Sequence, residues 1–358
     1  MNKSERTRSV EFDFTQIRSW INKEQEISED DRYFSQQSVE RSEIRRVALA
    51  NHDYNPLWLD EEYARKTRWG GIIAPPLFLG ACGNVVFPAR PAEIPGADPW
   101  THFYGGCEWE FLKPVRVGDV IKPIWKLVDV YEKAGNFAGP LAFTVGETAF
   151  KNQREEVVGT CRSTLIHWSR AAAKKKKKYR AQGLNFEPEG YPENKKGEIT
   201  ARGSIPLYYE DVKVNDEIKA FVITLTIPMI VVQSTCYRVG VILPDTASPG
   251  AGCYWHYTVS GAKRVREMPA PFDVGIWRPA WFARLMTDWI GDDGWLKKLR
   301  IRIHLPIFAG DTTTCRGKVI KKYIENDDHL IDCEIWGENQ RGEITTNGSC
   351  TVILPSRG

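Results

Sequence analysis

Two short segments of this chain bring together residue types that proton chemistry requires. The first reads Asn51-His52-Asp53-Tyr54-Asn55-Pro56-Leu57-Trp58, and the second reads Gly252-Cys253-Tyr254-Trp255-His256-Tyr257. A carboxylate takes up a proton, and an imidazole gives or takes one near neutral pH. Asp53 and His256 are therefore candidates for general acid–base work. Each also has a plainer reading. Asp-x-Asn-Pro is a good turn sequence in any protein, with Asp53 bonding its own backbone and Asn55 orienting the loop. His256, set among aromatic neighbours, reads equally as a core histidine satisfied internally. Asp245 and Asp273 flank the second segment and are further carboxylate candidates. His52, His102, His167, His304 and His329 carry no partner pattern and read as structural or exposed. Trp58 and Trp69 read either as walls of an apolar pocket or as core packing.

Other chemistries find no support. The sequence has no phosphate-binding glycine loop, no dinucleotide glycine pattern and no serine-nucleophile elbow. Its eight cysteines form no C-x-x-C pair, which argues against zinc and for small buried hydrophobes in a reducing compartment. The net charge is only +3, and much of the excess sits in the lysine run 174–178, so nucleic acid is not an expected partner. No apolar run reaches membrane-spanning length, and residues 1–13 are charged without a signal-peptide core, so the expected location is the cytoplasm. Hydrophobic residues at 42% and charged residues at 27% are ordinary for a globular protein. The 13 tryptophans point to large aromatic packing surfaces or a roomy apolar pocket.

The elements that must position these residues form a repeat. Residues 111–119 end on Pro114…Gly118-Asp119, and residues 303–311 end on Pro306…Gly310-Asp311. After each Gly-Asp the order is the same: a strand, a turn rich in Gly, Asn or Asp, an apolar strand, Asn152-Gln153 or Asn339-Gln340 as a hairpin turn, and a closing β-rich run. So many ordered matches indicate an internal duplication. Helical segments precede each set of strands. They are expected at residues 38–49 and from 77 to 87 in the first half, and at 228–237 and 279–290 in the second. Trp281, Leu285 and Trp289 give the last one an apolar face at four-residue spacing. The expected organisation is a first repeat over 1–170, a basic linker over 171–204 rich in Lys, Pro and Gly, and a second repeat over 205–358. A long apolar helix wrapped by an antiparallel sheet, twice over, is an α+β double hot-dog arrangement, in which the second copy covers the edge the first leaves open.

The first segment resembles the hydratase signature of the MaoC-like dehydratases and (R)-specific enoyl-CoA hydratases, Asp-x-Asn-Pro-(Ile/Leu)-His with an alanine six residues beyond. Asp53, Asn55, Pro56, Leu57 and Ala64 match, and Trp58 stands at the histidine position. Trp69-Gly70-Gly71 and Ala74-Pro75-Pro76 are similar to the lead-in to the central helix, especially in the substrate-binding member of two-part dehydratases. In the second half His256 holds the histidine position, Ala251 the aspartate position, and Gly275 the glycine before the helix. The resemblance covers residues 34–354. It implies addition or removal of water at an α,β-unsaturated acyl thioester, with coenzyme A entering as part of the substrate and no cofactor or metal. It also implies catalysis by Asp53, His256 and Asn55, meeting across the halves in one degenerate, asymmetric site. Substrate contacts would come from Gly275, Trp58 and Trp69, with the Gly275 N–H as oxyanion donor. Pro76 cannot serve there because proline has no N–H. Other hot-dog chemistry on a thioester (isomerase, cyclase or thioesterase) and a non-catalytic acyl-binding subunit remain alternatives. A homodimer of such chains is a further expectation.

Overall fold

The computed structural model describes residues 12–26, 38–83, 102–135, 139–169, 206–236, 254–266 and 268–357. The linker and Asp245 lie outside these residues. The strands are β1 (Glu24–Glu26), β2 (His102–Phe111), β3 (Lys122–Gly135), β4 (Gly139–Lys151), β5 (Val157–His167), β6 (Glu217–Thr224), β7 (Trp295–Ile303), β8 (Thr312–Glu325), β9 (Asp328–Asn339) and β10 (Ile344–Ile353). They form one ten-stranded sheet in the order β1-β3-β4-β5-β2-β7-β10-β9-β8-β6. Each half is an antiparallel hot-dog sheet. The two sheets expected from the sequence are joined because β2 pairs antiparallel with β7, from Gly106↔Arg302 to Glu110↔Lys298. The seam removes the two edges that single repeats would expose. Gly106 (φ +137°) is required there, since a Cβ would lie 2.2 Å from the Ile301 carbonyl oxygen. Glu108–Arg300 and Glu110–Lys298 pair across the seam at 2.9 and 3.4 Å. Such exposed pairs contribute little stability but favour this register.

The duplication holds at the level of single hydrogen bonds. Gly118 and Gly310 both turn with positive φ. Asp119 then accepts from the Arg116 N–H (2.8 Å) and Asp311 from the Phe308 N–H (3.0 Å). Gln153 and Gln340 each donate to that aspartate and accept from the next backbone N–H, Val120 or Thr312. Asn152 and Asn339 cap the hairpin turns identically, each accepting two backbone N–H groups. Even the bulges correspond. β2 slips register at Gly105 against β5, and β7 slips at Lys297 against β10. These matches pair residue 102 with 294, 103 with 295 and 104 with 296.

Three helices of ten or more residues matter for the site: α1 (Arg41–Ala50), α2 (Ile227–Cys236) and α3 (Arg278–Ile290). Helices α1 and α2 occupy equivalent places and touch each other. Gln233 donates to the Ala50 carbonyl and to Asn51 at 3.4 and 3.3 Å. Helix α3 is the central helix of the second half. It starts with Pro279 in its first turn, where a missing N–H costs nothing, and stops at Gly291 (φ +68°). Trp281, Phe282, Leu285 and Met286 bury its apolar face against Leu299, Ile301, Ile335 and Val352 of the sheet. Each such side chain contributes about 1.5–3 kcal/mol. In the first half the corresponding segment opens as a tight turn, Pro76–Phe78, followed by one helical turn, Leu79–Cys82. The rest of the 77–87 expectation lies outside the described residues. No described helix is long and apolar enough to cross a membrane.

Candidate active sites

The first signature folds into a turn and two short helices, Pro56–Leu59 and Glu61–Lys66. Asn55 caps the first by accepting from the Leu57 N–H at 3.0 Å. Pro56 sits in the first helical turn, where proline is tolerated. Asp53 is buried and both of its oxygens are engaged. One accepts from the Asn55 N–H at 3.2 Å, and the other accepts from the Trp58 indole N–H at 3.0 Å. The residue at the histidine position thus seals the carboxylate. Asn55, Trp58 and Trp69 do line a cleft, together with Pro75, Pro76 and, from the other half, Thr287, Asp292 and Trp295. The Trp69 and Trp295 rings lie 5.5 Å apart, and the Trp69 indole N–H donates to the Asp292 carbonyl at 2.7 Å. Arg284 of α3 also reaches this region, where its charge acts on Asp53 and His52.

The second signature forms the short helix Tyr254–Tyr257. His256 Nδ1 lies 3.1 Å from the Phe272 carbonyl oxygen, and its ring packs 4.4 Å from the Phe272 ring. Donation from Nδ1 to that carbonyl fixes the tautomer and leaves Nε2 as the acceptor nitrogen of the ring. Burial, and then the charge of Arg266, pull His256 down to about 4, against the opposing effects of the Phe272 hydrogen bond and Asp273. The imidazole is therefore neutral at physiological pH. Gly275 opens the turn Gly275–Trp277 that leads into α3. Its N–H makes no hydrogen bond to the described residues. A Cβ at Gly275 would meet Ile303 Cδ1 at 3.1 Å and Tyr104 Cβ at 3.2 Å.

Two expectations from the sequence are corrected. Among the described residues no hydrogen bond joins Asp53 to His256; Asp53 is held by Trp58 and Asn55, and His256 by Phe272. Asp273 does not replace the lost carboxylate. It forms a buried bidentate pair with Arg278 at 2.6 and 2.8 Å and accepts from the Ile307 N–H at 3.0 Å. Arg278 in turn donates to the Thr345 carbonyl and the Thr346 hydroxyl, both at 3.0 Å, pinning the start of α3 to the sheet.

Of the histidines read from sequence as structural or exposed, His102 lies near enough to His256 for their charges to interact, and His167 stands beside His102. His102 and His167 are cross-strand partners on β2 and β5, with rings 6.1 Å apart. His167 Nε2 lies 2.9 Å from the Thr144 hydroxyl. Burial holds His167 at about 4. Burial also holds His102 well below its ordinary value, helped by the charges of Arg266, His167 and His256. No local motif signals this cluster, because its members lie on strands of one half and a loop of the other.

Comparison with known proteins places this geometry. Residues 34–161 match the family model described as FAS1-like, dehydratase domain region. A UPF0336 protein of Saccharopolyspora erythraea is 28% identical over 154 residues, which is 42% of this chain and 86% of that protein. A UPF0336 protein of Streptomyces griseus is 33% identical over 103 residues, 27% of this chain and 66% of the other. A solved MaoC-like dehydratase superposes on 95% of this chain and 100% of its own with a TM-score of 0.69 at 16% identity. A putative MaoC domain protein dehydratase from Chloroflexus aurantiacus covers 94% of this chain and 96% of its own, with a TM-score of 0.65 at 13% identity. A conserved hypothetical protein of Mycobacterium tuberculosis with a double hotdog fold has a TM-score of 0.54 at 9% identity, over 88% of this chain and 92% of its own. At such identities the structures establish the shared fold.

Proposed function

We propose that this chain, a member of the MaoC-like hot-dog dehydratase family, adds or removes water at an α,β-unsaturated acyl thioester, and that it does so only in its second half. The observation that carries this reading is a contrast between equivalent positions. The second half has His256 and a Gly275 N–H that makes no hydrogen bond to the described residues, where the first half has Trp58 and Pro76. Water addition needs both groups. His256 Nε2 takes a proton from water as the water oxygen bonds to the β-carbon. The π electrons move toward the thioester oxygen, and the Gly275 N–H stabilises the charge that develops there. His256 then returns its proton to the α-carbon and is ready for another cycle. Loss of water is the same path reversed. Lying just ahead of α3, the Gly275 N–H also benefits from the positive end of that helix.

The first half serves as a binding wall in this reading. Trp58, Trp69 and Trp295 offer apolar faces to an acyl or pantetheine segment, and Asn55 and Asp53 hold the loop that carries Trp58. Coenzyme A, or another carrier of the thioester, enters as part of the substrate.

The test is turnover by the purified chain over a panel of enoyl-CoA and 3-hydroxyacyl-CoA thioesters, with product masses as the readout. A mass change of one water is expected. His256→Ala should lower the rate by about 10²–10⁴-fold, the usual contribution of a placed acid–base group. Asp53→Asn should retain the activity. No water gained or lost with any thioester would refute the proposal.

A further inference from the structure

We propose that Arg266 is the positioning residue of the second site: its buried guanidinium ties the helical turn that carries His256 to the start of β2 in the first half. This rests on the hydratase reading above and names the group that holds the base of that site in place. Arg266 is 6% exposed. Taking a guanidinium out of water is costly, so such a side chain is held wherever its partners are. One of its nitrogens donates to the His102 carbonyl at 3.2 Å. Its guanidinium carbon lies 5.1 Å from the centre of the Trp255 ring. Trp255 precedes His256, and their two rings stand 6.1 Å apart. The same turn is held by Phe272, whose N–H donates to the His256 carbonyl at 3.0 Å and whose carbonyl faces His256 Nδ1. Phe272 thus fixes His256 to its own half, and Arg266 fixes its neighbour to the other.

The first half carries the same device at the same spacing. Arg68 lies ten residues after Trp58, as Arg266 lies ten residues after His256. The Arg68 guanidinium carbon is 4.3 Å from the centre of the Trp69 ring, and its Nη1 donates to the Asp293 carbonyl at 2.8 Å. Asp293 immediately precedes Gly294, the counterpart of His102. Each arginine therefore lies over a tryptophan of its own half and reaches a backbone carbonyl at the head of the other half's seam strand. The two differ in burial. Arg68 is exposed, so water and salt screen its charge, whereas Arg266 is buried and its charge acts on His256. A cation there disfavours the imidazolium and favours the neutral base that water addition uses. Asp273 acts in the opposite direction, and His102 is the further titratable group whose charge couples to His256.

The experiment uses the full chain. Arg266→Met removes the charge and the hydrogen bond while filling much of the space, and Arg266→Lys keeps the charge without the flat face. Two quantities are read: kcat and KM on an enoyl thioester that the chain hydrates, and the midpoint at which the His256 ring nitrogens titrate by NMR. Arg266→Met should lower kcat by about 10²-fold, the effect of displacing a reacting group by about 1 Å, with KM little changed. Its His256 midpoint should rise from about 4. Arg266→Lys should keep the midpoint of the wild type and still lose part of kcat. An unchanged kcat in Arg266→Met would overturn the proposal and leave the hydratase reading intact. So would a lower kcat with the midpoint unmoved, which is what a general loosening of the fold produces. If the wild-type chain hydrates no thioester, the hydratase reading fails. A midpoint that moves in Arg266→Met but not in Arg266→Lys then still supports the hold of Arg266 on His256, and one that stays fixed in both overturns it.

Discussion

Gly275 allows the oxyanion donor to be separated from the space around it. In Gly275→Ala the N–H is kept, and the new Cβ meets Ile303 Cδ1 at 3.1 Å and Tyr104 Cβ at 3.2 Å. The Ile303 side-chain end can turn aside, whereas Tyr104 Cβ is tethered to β2, so the backbone must give by a few tenths of an ångström. Overpacking of this kind costs about 1–3 kcal/mol of stability. Gly275→Pro meets the same contacts and also removes the N–H. The preceding Val274 is already extended (φ −88°, ψ 101°), as a residue before proline prefers. The first half has proline at this very position, Pro76, following an extended Pro75. The two variants should therefore fold comparably. Loss of one oxyanion donor lowers kcat by about 10²–10³-fold, or roughly 2.7–4 kcal/mol of transition-state stabilisation. The expected result is that Gly275→Pro falls below Gly275→Ala by that factor, in a hydration assay on the preferred enoyl thioester, while their melting temperatures stay close. Equal activity in the two variants would refute the assignment of the donor.

Two further outcomes follow from buried groups. His256 and His167 are both held at about 4 by burial, against about 6.5 in an unfolded chain. Between these values the unfolded chain binds protons that the folded chain refuses, so stability is full above about pH 6.5 and falls as pH drops toward 4. Melting temperatures measured over that range should decline, and His167→Gln should flatten the decline; a melting temperature independent of pH there would contradict it. Arg278→Leu leaves Asp273 as an unpaired buried carboxylate, an effect of about 3–5 kcal/mol in denaturant unfolding. The double variant Asp273→Asn/Arg278→Leu should lose less than the single one, and equal or greater loss would show that the pair is not the cause.

The fold was legible in the sequence because a duplication writes its own check. Gly118-Asp119 and Gly310-Asp311 fix a turn, and Asn152-Gln153 and Asn339-Gln340 fix the hairpin that bonds back to it. These contacts close a single hairpin, between residues two strands apart, and their chemistry is visible in the residue types. The sites were only partly legible because each is built across the two halves. Trp295 joins Trp69 from more than two hundred residues away, and the His102 carbonyl holds Arg266 from the opposite repeat. No window along the chain contains such a pair. Asp273 misled for a different reason: it reads as a loop carboxylate, yet the folded chain brings Arg278, five residues on, against it at the start of α3.

The same contacts explain how each half can lose one member of an acid–base pair without losing its fold. A buried carboxylate left without partners costs several kcal/mol, more than most single contacts contribute. In the first half Trp58 stands at the histidine position, and its indole N–H bonds an Asp53 oxygen. In the second half the carboxylate is gone, but the Phe272 carbonyl accepts from His256 in its place. Both survivors are satisfied, so neither half is strained by its loss. Their chemical consequences differ, however. An aspartate with both oxygens bonded and its face closed by an indole has little left to offer a water molecule. An imidazole held through Nδ1 still presents Nε2, and burial keeps that nitrogen unprotonated at neutral pH. In the proposed reaction, retention of the histidine rather than the aspartate therefore selects the second half, and the neighbouring Gly275 N–H lies in that same half.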